Sequence, residues 1–343
     1  MKHIALFVHD GNSDLYNLVR CISIEKLLLG STACVSLASE ILHTLNKLKQ
    51  LFLMGTYTGR CDLKLPASLK CIRLDKVECS SDWLCSVLIT ICSLGQPVEL
   101  QLGNVVLQSS KETHSGEPPA HVSDLRSEIL SCDMSNIMII VKYCSKELFD
   151  ILRDTSIGIL ELEIADCVSL ASEIMFTLSK QTHLILSGTY TGRSFRKLPA
   201  LLTCFCLKKV ECSYEWLCIL LITLSLLTHP VTCVLWDVVL QPSEETREDD
   251  SHLHVSDLRS EILSCDLSNI TILMNNVSKE LLEILRHASI GILDIRTAES
   301  LSSDIVHTLN KLKQIYLRGT YTGRCDLRLP ASLQCISLQK VEC

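Results

Sequence analysis

Nineteen cysteines and eleven histidines are the residues of this 343-residue chain best equipped for chemistry. Their spacing gives them little to do together. Cys204-x-Cys206 lies in a segment of alternating apolar residues, so both thiols share one strand face and could grip a soft metal. The equivalent pairs elsewhere are Cys71 with Arg73 and Cys335 with Ser337, so an incidental thiol pair is the simpler reading. His252-x-His254 sits in an acidic stretch whose other copy keeps only His121, and it is read the same way. There is no C-x-x-C pair, phosphate loop, G-x-S-x-G elbow, H-E-x-x-H or G-x-G-x-x-G. No set of acid, base and nucleophile stands out, so no catalytic, cofactor-binding or metal-binding residue is assigned. Asn269-Ile270-Thr271 and Asn276-Val277-Ser278 match glycan acceptors, which would matter only in a secreted protein.

Many of the cysteines recur among Leu, Val and Ile at matching places: Cys79, Cys212 and Cys343; Cys85 and Cys218; Cys132 and Cys265. Such thiols read as small buried apolar groups. The N-terminus lacks the usual form of a secretion signal, so reduced thiols and a cytoplasmic location are expected. The longest apolar run, Leu217–Leu227, is too short to span a bilayer and reads as a buried helix. The net charge of −7 is spread out and shows no Lys/Arg stripe, which argues against a nucleic-acid partner. With 47% hydrophobic and 21% charged residues the chain can offset its ordering entropy, and Leu and Ile must carry the core because aromatics are only 5%.

The elements that position these residues are repeats. The stretch GTYTGRCDLRLPASLQCISLQKVEC at Gly319–Cys343 also occurs at Gly55–Cys79 and, more divergently, at Gly188–Cys212. The first and last copies differ at four of 25 positions. Inside it lies a shorter frame, L-x-x-L-x-L-x-x-(N/T/V)-x-(C/L), that can be laid down fourteen times. It begins at Met1, Ile24, Leu48, Leu69 and Pro97, at Met134, Ile157, Gln181, Leu202 and Pro230, and at Leu267, Ile290, Leu312 and Leu333. The spacings run 23, 24, 21, 28 and 37, repeat in that order, then run 23, 22 and 21, giving a larger period of 133 residues. A single solenoid over 1–343 is expected, with a partial first copy at 1–133, a full copy at 134–266 and a partial third at 267–343. The chain starts and stops mid-period without polar capping units, which suggests a piece of a longer array.

Each L-x-L core alternates with period two and predicts a short strand with one inward face. The ninth and eleventh frame positions are expected to turn the chain off the strand. Helices are expected between strands. Leu37, Ile41, Leu45 and Leu48 would share one helix face; Trp83, Val87, Ile91 and Leu94 another, with Ser81 as N-cap and Asp82 in the first turn. Ser123-Asp124 introduces a helix over Val122–Leu130, and Ser256-Asp257 its second copy. The 21-residue spacer carries Gly55, Gly59 and Pro66 and is expected to be irregular. Polar segments at 109–120 and 242–253 read as solvated loops.

The frame Leu267-x-x-Ile270-x-Ile272-x-x-Asn275-x-Val277 resembles the leucine-rich repeat motif, and repeats with helical spacers look most like the ribonuclease-inhibitor type and the arrays of intracellular innate immune receptors. The resemblance implies an α/β fold: a curved βα solenoid with a parallel sheet on its concave side and helices and irregular segments on its convex side. It also implies a non-enzymatic protein-binding scaffold, of the kind that forms the ligand-sensing array of a larger innate-immune-type protein. A passive spacer is the alternative. The motif's asparagine is mostly Thr, Val or Ala here, so the usual asparagine ladder is largely absent.

In this pattern the residues between and just after the strand leucines point outward. That set includes Glu161, Glu163, Lys208, Lys209, Trp236, Asp237, Asp294, Arg296, Tyr316 and Arg318, charges of both signs around two large aromatics, as suits a mixed polar protein interface. Tyr57, Tyr190 and Tyr321, each followed three residues later by Arg, would form either an exposed hot-spot row or turn residues with the ring packed on a neighbour.

Overall fold

The computed structural model describes residues 4–8, 23–30, 42–108, 120–143, 145–164, 178–190, 197–241, 265–276, 278–285, 288–296, 309, 311–320 and 329–342. The chain divides into two compact units, Met1–Glu163 and Ile164–Cys343. In the N-terminal unit, strands β1 (Ile4–Val8), β2 (Ile24–Leu29), β3 (Gln50–Tyr57), β4 (Cys71–Cys79), β5 (Val98–Leu102), β7 (Ile137–Val141) and β8 (Ile159–Ile164) pair in that order, all parallel. The short β6 (Val105–Leu107) also pairs with β4. In the C-terminal unit the parallel order is β9 (His183–Tyr190), β10 (Cys204–Ser213), β11 (Val231–Trp236), β13 (Asp266–Asn275), β14 (Ser289–Arg296), β15 (Gln314–Thr320) and β16 (Cys335–Glu342). There β12 (Val239–Gln241) pairs with β10.

Apart from β6 and β12, each strand falls on one placement of the frame. The frame's fourth and sixth residues point inward: Leu51 and Leu53, Leu160 and Leu162, Leu184 and Leu186, and Phe205 and Leu207 are all fully buried. Parallel strands offering such residues in register, joined by helical and irregular spacers, make a leucine-rich-repeat-like βα solenoid.

Register corrects the frame in one place per large period. Leu100 lies opposite Ile139, not Ile137, and Ile139 lies opposite Leu160. Cys233 likewise faces Ile272, which faces Leu293, and Leu6 faces Leu27. The frames placed at Met1, Met134 and Leu267 therefore begin two residues later, at His3, Asn136 and Asn269. A one-residue slip would turn every side chain over, but a two-residue slip returns them to the same face and is silent in the hydrophobic pattern. The two residues are taken up by a turn, before β7 in one copy and within the first residues of β13 in the other, where Leu267 still lies opposite Ile290 and the register shifts before Thr271. The Ser135 amide donates to Asp133 Oδ1 at 2.9 Å, and the Ser268 amide to Asp266 Oδ1 at 3.0 Å. The backbone and side-chain hydrogen bonds from Ser135 hold the Asp133 carboxyl below the usual carboxylate range. The turn presses its carbonyl onto the next strand, and glycine stands there in both cases: a Cβ on Gly158 would lie 2.0 Å from the Ser135 oxygen, and one on Gly291 2.7 Å from the Ser268 oxygen.

The backbone breaks its extended run at the eighth frame position, and the ninth and eleventh do not turn the chain off the strand. Gly55 and Gly188 take φ of 112° and 110° there, and Lys76, Lys209, Asp237 and Asn276 take φ of 52–55°. In β4 and β10 this residue is the extra one of a β-bulge, between Leu74 and Val77 and between Leu207 and Val210. The ninth and eleventh positions then resume the ladder and point inward, with Val77, Cys79, Val210 and Cys212 buried.

The spacers differ as expected in kind, with adjustments in detail. Helices α1 (Ser81–Cys92), α2 (Ala120–Ser131), α3 (Lys146–Leu152), α4 (Tyr214–Ser225) and α5 (Lys279–Leu285) are present. The cap of α1 is Ser80 rather than Ser81, its hydroxyl accepting from the Trp83 amide at 3.2 Å, and Leu94 lies beyond the helix end. Ser213 caps α4 and Ser145 caps α3 in the same way. α4 contains most of the apolar run at 217–227 and buries Trp216, Leu217, Leu220, Leu221 and Leu224. Leu45 and Leu48 are buried in turns instead of a helix; Leu37 and Ile41 lie outside the described residues, as do Ser256-Asp257 and nearly all of both polar segments. Residues 58–70 carry neither helix nor strand, in keeping with their Gly and Pro. Among the described residues, no helix is long and apolar enough to cross a membrane.

Candidate binding face

On the side of the sheet opposite the leucines, frame positions three, five and seven form rows that cross the strands. In the C-terminal unit the seventh-position row reads Lys208 on β10, Trp236 on β11, Asn275 on β13, Arg296 on β14, Arg318 on β15 and Gln339 on β16, each directly opposite the next. The fifth-position row beside it reads Cys206, Val234, Leu273, Asp294, Tyr316 and Ser337.

Four of the sequence-assigned residues are gathered by β14 and β15. Asp294 Oδ2 lies 3.7 Å from Arg296 Nη2 and 3.5 Å from Arg318 Nη2. Tyr316, directly opposite Asp294, donates its hydroxyl to Gln314 Oε1 at 3.0 Å. The carboxylate is sunk and the cations are not: Asp294 is 7% exposed, whereas the Arg296 and Arg318 side chains are 43% and 38% exposed. Asp294 Oδ1 is buried without a hydrogen-bond partner. A second group lies on β10, β11 and the turn after β13. Lys208 sits opposite Trp236, the indole is 45% exposed, and the Asn276 amide donates to Asp237 Oδ1. Lys209, exposed, is the bulge residue after Lys208.

Glu161 and Glu163 belong to the N-terminal unit and do not join these groups. Glu163 is exposed and lies 3.5 Å from Lys142, while Glu161 is buried despite its outward position. The signal that sequence reasoning missed is Asn275, which links Trp236 to Arg296; as the assumed turn residue of a misplaced frame it was hidden from the outward set.

The remaining candidates resolve simply. Tyr57 and Tyr190 are buried, not a surface row. Tyr57 stacks on Trp83 with centroids 4.4 Å apart, Tyr190 packs on Trp216 at 4.7 Å, and their hydroxyls donate to the carbonyls of Met54 and Ser187. Tyr321 lies outside the described residues. Cys204 and Cys206 do share the outward face of β10, and Cys206 is almost covered. Burial pushes the Cys79 and Cys212 thiols up to about 12 and the Cys71 and Cys85 thiols up to about 11, so these are packing groups rather than nucleophiles. His252 and His254 lie outside the described residues.

No family model matches the chain, and no curated protein does either. Among solved structures, an internalin from Listeria monocytogenes strain 4b F2365 is similar at 11% identity and a TM-score of 0.33, over 91% of this chain and 80% of that one. The fold assignment rests on the strands and their register.

Proposed function

We propose that this chain is a non-enzymatic protein-binding scaffold that engages its partner through the outward face of β10–β15. The observation that carries this reading is where the internal copies disagree. Gly55–Cys79 and Gly319–Cys343 differ at four of 25 positions, and two of these are the outward fifth and seventh positions, Arg73 against Ser337 and Asp75 against Gln339. One large period further on, Asp75, Gly103 and Glu163 become Lys208, Trp236 and Arg296, while the inward Leu74, Leu102 and Leu162 become Leu207, Leu235 and Ile295. The frame is held and the face is rewritten, toward an exposed indole and guanidinium groups, the side chains that anchor protein interfaces.

The resemblance to ribonuclease-inhibitor-type and immune-receptor arrays extends the reading to the ligand-sensing part of a larger innate-immune-type protein in the cytoplasm. The test is affinity capture from source tissue with the parent chain and a Trp236→Ala/Tyr316→Ala variant. A protein held by the parent and lost by the variant supports the scaffold. Capture of the same proteins by both, or of none, shifts the reading to a passive spacer.

A further inference from the structure

We propose that the partner segment recognised by this face is acidic and extended, and that it crosses the strands along the seventh-position row. The inference rests on the scaffold reading above and adds the chemistry of the partner. In a chain of net charge −7, this stretch of the row bears Lys208, Arg296 and Arg318 and no carboxylate. The one carboxylate beneath it, Asp294, is shared between two guanidiniums at 3.5 and 3.7 Å and is itself buried. One buried negative charge under two partly exposed positive ones leaves an outward positive potential at β14–β15. Asp294 therefore acts as an internal competitor, drawing on the charge of the two guanidiniums that a partner's carboxylate would otherwise meet in full.

The spacing sets the form of the segment. Adjacent strands lie about 4.8 Å apart, so Lys208 and Arg296, three strands apart in the row, are separated by about 14 Å. An extended peptide advances about 3.4 Å per residue, so carboxylates about four residues apart meet both cations. Trp236, next to Lys208, would take an apolar side chain between them. A nucleic-acid strand fits less well: its phosphates recur at every nucleotide, whereas the row's cations are interrupted by Trp236 and Asn275.

The test is fluorescence anisotropy on the full chain with a labelled dodecapeptide of repeated Glu-Glu-Phe, its Lys-Lys-Phe counterpart and a twelve-residue oligothymidylate. The acidic peptide is expected to bind at least about tenfold tighter than either control and to weaken as salt is raised. Lys208→Glu and Arg318→Glu are each expected to weaken it about tenfold, and Asp294→Asn to tighten it several-fold, in variants whose melting matches the parent. The two reversals lie on different strands, so one remains informative should the other not fold. The opposite sign at Asp294 is the readout that a merely structural role would not produce. Equal binding of the basic peptide, preference for the oligonucleotide, or indifference to all three substitutions overturns the proposal. If the acidic peptide is ignored while Trp236→Ala/Tyr316→Ala still abolishes capture of a protein, the scaffold reading stands and the acidic partner falls.

Discussion

Gly158 and the buried thiols show how much single residues decide in this fold. The Ser135 carbonyl leaves no room for a Cβ at position 158, so Gly158→Ala must displace backbone. Overpacking of this kind costs about 1–3 kcal/mol, read as a lower urea midpoint with unchanged slope. Leu160, two residues on and fully buried, makes the complementary case. Leu160→Asp places a carboxylate in the core and should lower stability by about 4 kcal/mol or more; a variant that unfolds like the parent would reverse the inward assignment. The thiols predict a pH dependence. Cys79 and Cys212 are pushed up to about 12 by burial, against about 8.5 for an unfolded thiol. Above about pH 8.5 the unfolded chain gives up protons that the folded chain keeps, so the thiol contribution is full below that pH and declines as pH rises toward 12. Melting temperature should fall between about pH 8 and pH 10, and Cys79→Ala/Cys212→Ala should flatten the slope even while lowering the plateau.

At the scale of elements, the strands were legible and their registers only in part. Inward leucines with period two are a strong signal because burial on one face dictates them. The starts at Met1, Met134 and Leu267 were misread because Met134, just before β7, and Leu267, at the start of β13 opposite Ile290, are themselves buried, and a two-residue offset keeps apolar residues inward. The clue was present as Asp133-x-Ser135 and Asp266-x-Ser268, each a side-chain-to-backbone turn. Turning residues were legible where they are Gly55 and Gly188, but Lys76 and Lys209 take the same left-handed step against their own preference, and composition could not reveal them. Helix starts were misjudged by one residue at Ser80 because two serines adjoin. Ser80→Ala should cost about 1 kcal/mol, and Ser81→Ala much less, by thermal melting of the two variants.

For the whole molecule, alternation alone placed Lys208, Trp236, Asp294, Arg296, Tyr316 and Arg318 on one face, but it could not rank them. Depth separates the sunken Asp294 from the guanidiniums above it, and depth depends on neighbours brought together from the same and the adjacent strand. Strength of binding at such a face should follow ionic strength, because its cations are only partly covered and lie within reach of salt.

The matched register across the 133-residue period has a consequence for inheritance. A crossover that exchanges one full period for another returns the inward apolar residues, the left-handed steps of Gly55 and Lys76 at Gly188 and Lys209, and the capping Ser80 and Ser145 at Ser213 and Ser278 to equivalent places, and alters chiefly what the outward rows display. The chain keeps its grammar apart from its vocabulary. Duplicated copies can diverge at Arg73 and Ser337, or at Gly103 and Trp236, while the frame that presents them stays legible to the next duplication.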